Sequence, residues 1–236
     1  MSFSRSSIGK RERTLGVFFM AVMEEMRRQI PFEEFDYQTL LNCLKDYSRP
    51  RDKISDLLKR GAIIRVKKGL YIFGPEFSRG PYSRELLANL IYGPSYVSLD
   101  YALGYYGLIP ERVETVTSVT CGKNRVFSTP VGRFTYWAVP LPYYRLGIDL
   151  VRLDERRSFL LATREKALCD KIFRDHGSMI GTPAELKTYL VENLRIDPGE
   201  LSRLDLDRMQ KISQYSRSRK ARLLVPFLLK QKAAAI

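Results

Sequence analysis

Histidine and cysteine are nearly missing from this chain. There is one histidine, His176, and there are three cysteines, Cys43, Cys121 and Cys169, in 236 residues. The cysteines are odd in number and far apart, and no CxxC occurs, so neither a disulfide framework nor a Cys/His zinc site is expected. Such usage suits a reduced, cytoplasmic protein. Long apolar runs are missing as well. The best candidate, Leu15 to Met23, follows Lys10-Arg11 as a leader would, but Glu24-Glu25 come next and no small-residue cleavage site appears. It is too short to span a bilayer, and no membrane association is expected.

Phosphate-cradling loops are absent too. The sequence holds neither GxxxxGK[ST] nor GxGxxG, and Gly122-Lys123-Asn124 reads as a turn. Acid–base chemistry needs paired, tuned groups, and His176 stands alone with no serine elbow or Cys/His arrangement pointing to it. The acids Asp100, Glu111, Glu114, Asp149 and Asp154 are scattered without metal-binding spacing. A metal-dependent nuclease is therefore the weakest reading. No enzymatic activity, metal or cofactor is expected.

Acidic residues are the scarcer charge. Twenty-six Asp and Glu face forty Lys and Arg, a net charge of +14, which favours an anionic partner such as nucleic acid. The excess is uneven: residues 1–80 carry a net +6, residues 81–154 only +1, and residues 155–236 +7. Within 49–68 there are eight Lys/Arg and two Asp, so the whole N-terminal excess sits in that stretch.

The same stretch has a readable layout. Residues 1–13 form a basic lead, and Leu15, Phe18, Phe19, Val22, Met26 and Ile30 recur at helical spacing, with Thr14 as N-cap of a helix to Gln29. From Tyr37 a short apolar helix runs into a polar break. A second helix opens at Ser48-Arg49-Pro50-Arg51, with Ile54, Leu57 and Leu58 as its inward stripe. Gly61 ends it, and two β-rich runs follow, hinged at Lys67-Lys68-Gly69. Helix, turn, helix and basic hairpin make a winged helix-turn-helix over residues 14–78. On that reading Arg49, Arg51 and Ser55 address base edges of double-stranded DNA. Lys53, Lys59 and Arg60 anchor phosphates, and Arg65, Lys67 and Lys68 form the wing. The competing reading is a solvated basic helix and hairpin that only docks protein.

Glycines and prolines at 74–81 mark a linker, and residues 79–236 read as a second, α+β domain. Helices are expected at Ser83–Ile91 and Leu99–Tyr106, then a small antiparallel sheet between Val113 and Ile148. Helices return with Thr163–Arg174. A capping box with proline at the first helical position, Thr182-Pro183-Ala184-Glu185, starts another. Asp207–Tyr215 and Ser218–Lys230, the latter kinked at Pro226, complete the chain.

The segment Tyr96–Glu111, YVSLDYALGYYGLIPE, resembles a segment of AbiEi-type antitoxins. Thr129–Phe134 is similar to their strand-turn segment, and Ala162–Asp170, ATREKALCD, to their A-x-x-E-K-A-L-x-D helix. Leu57–Gly61 followed by Lys68–Tyr71 resembles their winged-helix signature. The resemblance implies a bacterial type IV toxin–antitoxin antitoxin of abortive infection, a phage defence. Its winged helix represses its own operon, and its C-terminal domain counteracts a nucleotidyltransferase-like toxin that it need not touch. The helix before residue 30 is longer than a minimal winged helix needs and points to a dimer face. Two features of the second domain are candidate partner contacts: Tyr105-Tyr106, and the i, i+4 pair Lys166 and Asp170, read as an ordinary surface or interface salt bridge. Without a toxin, a stand-alone regulator or docking module is the alternative.

Overall fold

The computed structural model describes residues 18–175, 180–216 and 218–234. The basic lead, Thr14, Leu15 and His176 lie outside the described residues. The protein is mixed α/β and divides into two compact units, Met1–Ser83 and Arg84–Ile236, against an expected break after residue 78. No helix among the described residues is long and apolar enough to cross a membrane.

In the first unit, helix α1 covers 18–29 and turns Val22, Met23 and Met26 inward, with Ile30 following. Phe18, expected in the core, is 54% exposed. A short strand β1, Glu34–Asp36, leads directly into α2, Tyr37–Cys43, because the Asp36 carboxylate accepts the Thr39 N–H at 2.7 Å and caps it. Helix α3, Pro50–Lys59, starts on proline, whose missing N–H costs nothing at that position. It buries Ile54 and Leu57 and ends at Gly61, whose φ of +69° is open to glycine without strain. Strands β2, Ile63–Lys67, and β3, Leu70–Phe73, form the hairpin. The order β1-β3-β2 makes a three-stranded antiparallel sheet. β1 was not anticipated: three residues around a buried Phe35 are too few to show an alternating pattern.

Arg27 ties this unit's end to its beginning. It is 4% exposed and clasps Glu33 through two bonds of 2.6 and 2.8 Å. It also donates to the Phe77 carbonyl at 2.6 Å and covers the Phe73 ring at 3.6 Å. Glu33 in turn accepts the Arg79 N–H at 3.0 Å, and Glu34 accepts that of Ser83. The glycine-rich stretch expected to be a linker is thus held down as far as Ser83. Gly74 adds a close approach: a Cβ there would sit 1.8 Å from the Gly61 carbonyl oxygen.

The second unit is built on a six-stranded sheet of order β6-β7-β5-β4-β9-β8. Its strands are β4 (Ser95–Val97), β5 (Val116–Thr120), β6 (Arg125–Thr129), β7 (Gly132–Ala138), β8 (Ile148–Arg152) and β9 (Ser158–Ala162). The pairs β5/β7 and β4/β9 are parallel and the other three antiparallel, so the sheet is mixed. This corrects the small antiparallel sheet expected from Val113–Ile148. The two parallel pairs join segments distant in sequence, and hydrophobic alternation carries no information on which strand lies beside which. β4 escaped notice because three buried residues in a row do not alternate.

Helices α4 (Arg84–Ile91) and α5 (Leu99–Tyr105) flank β4, and a one-turn α6 (Leu141–Tyr144) follows β7. α7 (Arg164–Arg174) is capped by Thr163, which accepts the Lys166 N–H at 3.2 Å. The capping box is present: Glu185 N–H reaches Thr182 at 3.2 Å, and Thr182 N–H reaches Glu185 at 3.0 Å. It opens α8 (Pro183–Thr188), which runs on as a π turn, Tyr189–Asn193. Then come α9 (Pro198–Ser202), α10 (Leu206–Gln214) and α11 (Arg219–Ala234), the last passing through Pro226 as one helix.

Removing the charge of Arg27 while keeping its bulk leaves Glu33 buried and unpaired. Arg27→Met is expected to cost about 3 kcal/mol, read as a lower urea midpoint. Arg28→Ala, at an exposed pair with Glu25, is expected to leave the midpoint in place.

Candidate functional site

The charges of α3 divide into two sets. Arg51, Ser55 and Lys59 recur every four residues, so they form one stripe along the helix, and all three are exposed. Arg49 stands beside that stripe with its side chain 83% exposed, loosely paired with Asp52 at 3.9 Å. On the hairpin, Arg65 and Lys68 are exposed and Lys67 is half-buried. A bulge between Arg65 and Lys67 shifts the register there and re-aims the side chains of the hairpin tip.

Lys53 and Arg60 belong to the other set. The Lys53 side chain is only 15% exposed, 3.8 Å from Asp56, and its ammonium lies over the rings of Phe18 and Phe19 at 5.2 and 5.7 Å. Arg60 donates to Asp56 at 2.9 Å and covers Phe19 at 4.6 Å. These cation–π contacts hold α3 to α1. Lys53 is therefore a packing residue, which corrects its expected place among the phosphate anchors. Arg60 is half committed to the same contact. The extra N-terminal helix has a function inside the unit, as the surface on which α3 rests.

In the second unit the expected partner contacts separate sharply. Tyr105 is 49% exposed. Tyr106 is half-buried: its hydroxyl donates to the Ala162 carbonyl at 2.8 Å, and burial pushes its pKa up to about 12. Lys166 and Asp170 are interior, 0% and 2% exposed. This corrects the surface pair expected from their i, i+4 spacing. That spacing puts the two side chains on one face of α7 but does not say which way the face looks.

Around the pair the polar groups are arranged closely. Lys166 Nζ lies 3.0 Å from Asp170 Oδ1, donates to the Tyr143 carbonyl at 3.0 Å, and sits 3.1 Å from the centre of the Tyr143 ring. Asp170 Oδ2 accepts from Ser98 Oγ at 2.7 Å and from the Tyr96 hydroxyl at 3.1 Å. Ser98 precedes α5 yet caps nothing. Thr117 on β5 accepts the Tyr101 N–H at 3.1 Å in its place and donates to the Ser98 carbonyl at 2.6 Å. Ser98 is thereby free for Asp170, and the turn is completed by Leu99 at φ +59°, a strained value for a branched side chain. Gly147, φ +62°, lets its loop pass Lys166: a Cβ there would lie 2.8 Å from Lys166 Cβ.

Burial governs the protonation of this cluster. It pushes Cys169 up to about 12 and raises Tyr96 and Tyr143 well above the usual phenol value. It lowers Lys166, with Asp170 opposing the shift. Tyr96, Ser98, Thr117 and Tyr143 were missed by sequence reasoning. No signal in the sequence marks them together, because no spacing joins residues on four separate elements. Among the described residues no three His, Cys, Asp or Glu side chains converge as metal ligands would. Compared with known proteins, the chain matches no family model and no curated sequence.

Two outcomes follow from the buried pair. Asp170→Asn strands the Lys166 ammonium and is expected to cost about 3 kcal/mol. Lys166→Met is expected to cost a similar amount, and the double variant less than the sum, measured as a double-mutant cycle in urea. For pH, the unfolded chain releases thiol and phenol protons from about pH 9 upward, while Cys169, Tyr96 and Tyr143 hold theirs when folded. Raised folded values mean stability is lost as pH climbs from 9 towards 12. Lys166, with a lowered value, acts in the opposite sense but is one group against three. Urea midpoints at about pH 8 and about pH 10.5 should show the fall, with a shallower slope in Cys169→Ala.

Proposed function

We propose that the first unit is a winged helix-turn-helix that binds double-stranded operator DNA. The whole chain is then an AbiEi-type autorepressor and antitoxin that counteracts a nucleotidyltransferase-like toxin. The observation that carries the DNA reading is the exposed stripe Arg51, Ser55 and Lys59 along α3, turned away from the buried Leu57 and running beside the exposed Asp52. A helix presenting such a stripe fits the major groove, and guanidinium and hydroxyl groups near its N-terminal half suit base edges. Lys59 at the end of the stripe, Arg49 beside it, and Arg65 and Lys68 on the hairpin are exposed cations of the kind that suits phosphate contacts. Lys53 and Asp56 face towards α1 and take no part.

The antitoxin half of the proposal rests on the likeness of Tyr96–Glu111 and Ala162–Asp170 to the corresponding family segments. Most of the alike residues are interior: Leu99, Ala102, Leu103, Leu108 and Ile109 in the first segment, and Glu165 to Asp170 in the second. On this reading the family motifs build the second unit's scaffold, and the antitoxic surface lies on less characteristic residues such as Tyr105. The chain carries out no catalysis in this scheme.

In a gel shift with the DNA upstream of its own gene, Arg51→Glu is expected to weaken binding at least about tenfold, with the circular dichroism unchanged. Unaltered affinity would remove α3 as the reading helix. Lys68→Ala should lower the slope of log affinity against log salt by about 1 and leave sequence preference intact. Full-length Arg51→Glu should still restore growth to cells expressing the toxin, since antitoxicity is assigned to the other unit.

A further inference from the structure

The mixed sheet of the second unit ends on two edge strands, β8 and β6. β8 carries one acid and one base, Asp149 and Arg152, and the turn after it holds its own pair, Arg157 and Asp154 at 2.6 Å. β6 differs. It pairs with β7 in an unbroken register, holds no proline, and exposes Arg125, Val126 and Ser128, with Val126 at 54%.

The register says which main-chain groups are open. Thr129 and Gly132 close a two-residue hairpin loop, so they form a hydrogen-bonded pair, and alternation makes Phe127 and Arg125 the next such residues on β6. The N–H and C=O groups of Val126 and Ser128 therefore point away from β7, into the open edge. Neither residue's main chain has a partner there among the described residues.

Charge at this edge has one sign. Between residues 115 and 148 there is no acid, and there are four bases. Lys123, Arg125 and Arg133 are exposed and make no ion pair or side-chain hydrogen bond among the described residues. Lys123 leads into β6, Arg125 starts it, and Arg133 stands opposite Ser128 on the face that Val126 shares. Arg84 also reaches the hairpin turn, 3.2 Å from where a Cβ on Gly132 would lie. It brings Glu114 with it, which Arg112 pairs at 3.0 Å. With these and Glu85 beside Arg84 counted, five cations stand against two acids.

We propose that the β6 edge takes an acidic, extended segment of a partner protein, which adds to the sheet as a further strand. The outward groups of Val126 and Ser128 supply the ladder, an apolar side chain of the partner covers Val126, and its carboxylates meet Lys123, Arg125 and Arg133. Main-chain donors and acceptors at strand spacing suit a polypeptide; a nucleic acid would use the cations and leave those groups unmet. A second copy of this chain would set like charges against one another, so the cations guard the edge against self-pairing. The proposal is independent of DNA binding by the first unit.

The probe is a capped heptapeptide of alternating glutamate and valine, labelled for anisotropy and unlabelled for emission. The full chain should bind it saturably, with dissociation in the range of about 10 μM to 1 mM. Trp137, the chain's one tryptophan, lies on β7 on the face of Val126, so its emission should change with the same saturation. The peptide N-methylated at its valines, or built with lysine for glutamate, should bind at least about tenfold more weakly. Arg125→Glu should weaken the native peptide at least about fivefold. Ser128→Pro should do the same, since proline is tolerated where the N–H faces an open edge; both should hold the urea midpoint. Arg51→Glu, in the first unit, should bind as the native chain does. No saturable binding up to about 10 mM, saturation with Trp137 emission unmoved, or loss of binding in Arg51→Glu would overturn the site. Equal binding of the N-methylated peptide, or by Ser128→Pro, would overturn strand addition. Equal binding of the lysine peptide, or by Arg125→Glu, would overturn the acidic partner. Displacement of the peptide by single-stranded oligothymidylate at lower concentration than by unlabelled peptide would give the edge to nucleic acid instead.

Discussion

A lysine ammonium without access to water has to be answered on every side, and much of the second unit is arranged around that requirement. Lys166 takes its countercharge from one turn along α7 and a carbonyl and ring face from Tyr143 on α6. Its partner Asp170 draws hydroxyls from Tyr96 on β4 and Ser98 at the strand–helix turn. The consequences spread outward. Ser98 is diverted from capping α5, so Thr117 on the adjacent strand caps it, and Leu99 is forced into a left-handed conformation. Gly147 must be a glycine for its loop to clear Lys166. Burying such a pair adds little net stability, because desolvation offsets the attraction, but breaking it is costly. Its value lies in specifying one arrangement of β4, β5, α5, α6 and α7.

The first unit uses charge in the reverse way. Among the described residues Arg27 is this unit's deeply buried cation, and it closes the unit on itself through Glu33 and the Phe77 carbonyl, while the basic residues of α3 and its ends sort by the side of the helix they occupy. Those turned towards α1, Lys53 and Arg60, rest on Phe18 and Phe19 and share the one Asp56 carboxylate. Those turned away keep their charge for an outside partner. A count of eight cations between 49 and 68 overstates what is available, because helix packing removes Lys53 and occupies part of Arg60.

Local features were legible wherever the physics is local. Pro50 at a helix start, Gly61 at its end, the Thr182 capping box and the Ile54/Leu57 stripe were all readable, since each depends on residues within one or two turns. The six-stranded mixed sheet was not, because strand order is a long-range choice that alternation cannot express. Nor was the polar cluster around Lys166, whose members come from β4, β5, α6 and α7 together.

The candidate sites divide along the same line. By itself the sequence determined that 49–68 forms a basic helix and hairpin, and that Lys166 and Asp170 share a helical face, because charge and a period of 3.6 residues are local properties. Only the tertiary structure decided that Lys166 and Asp170 face inward while Arg51, Ser55 and Lys59 face out. Helical spacing fixes the angle between two side chains but not the rotation of the helix against its neighbours, and that rotation is set by which faces find complementary surfaces to bury.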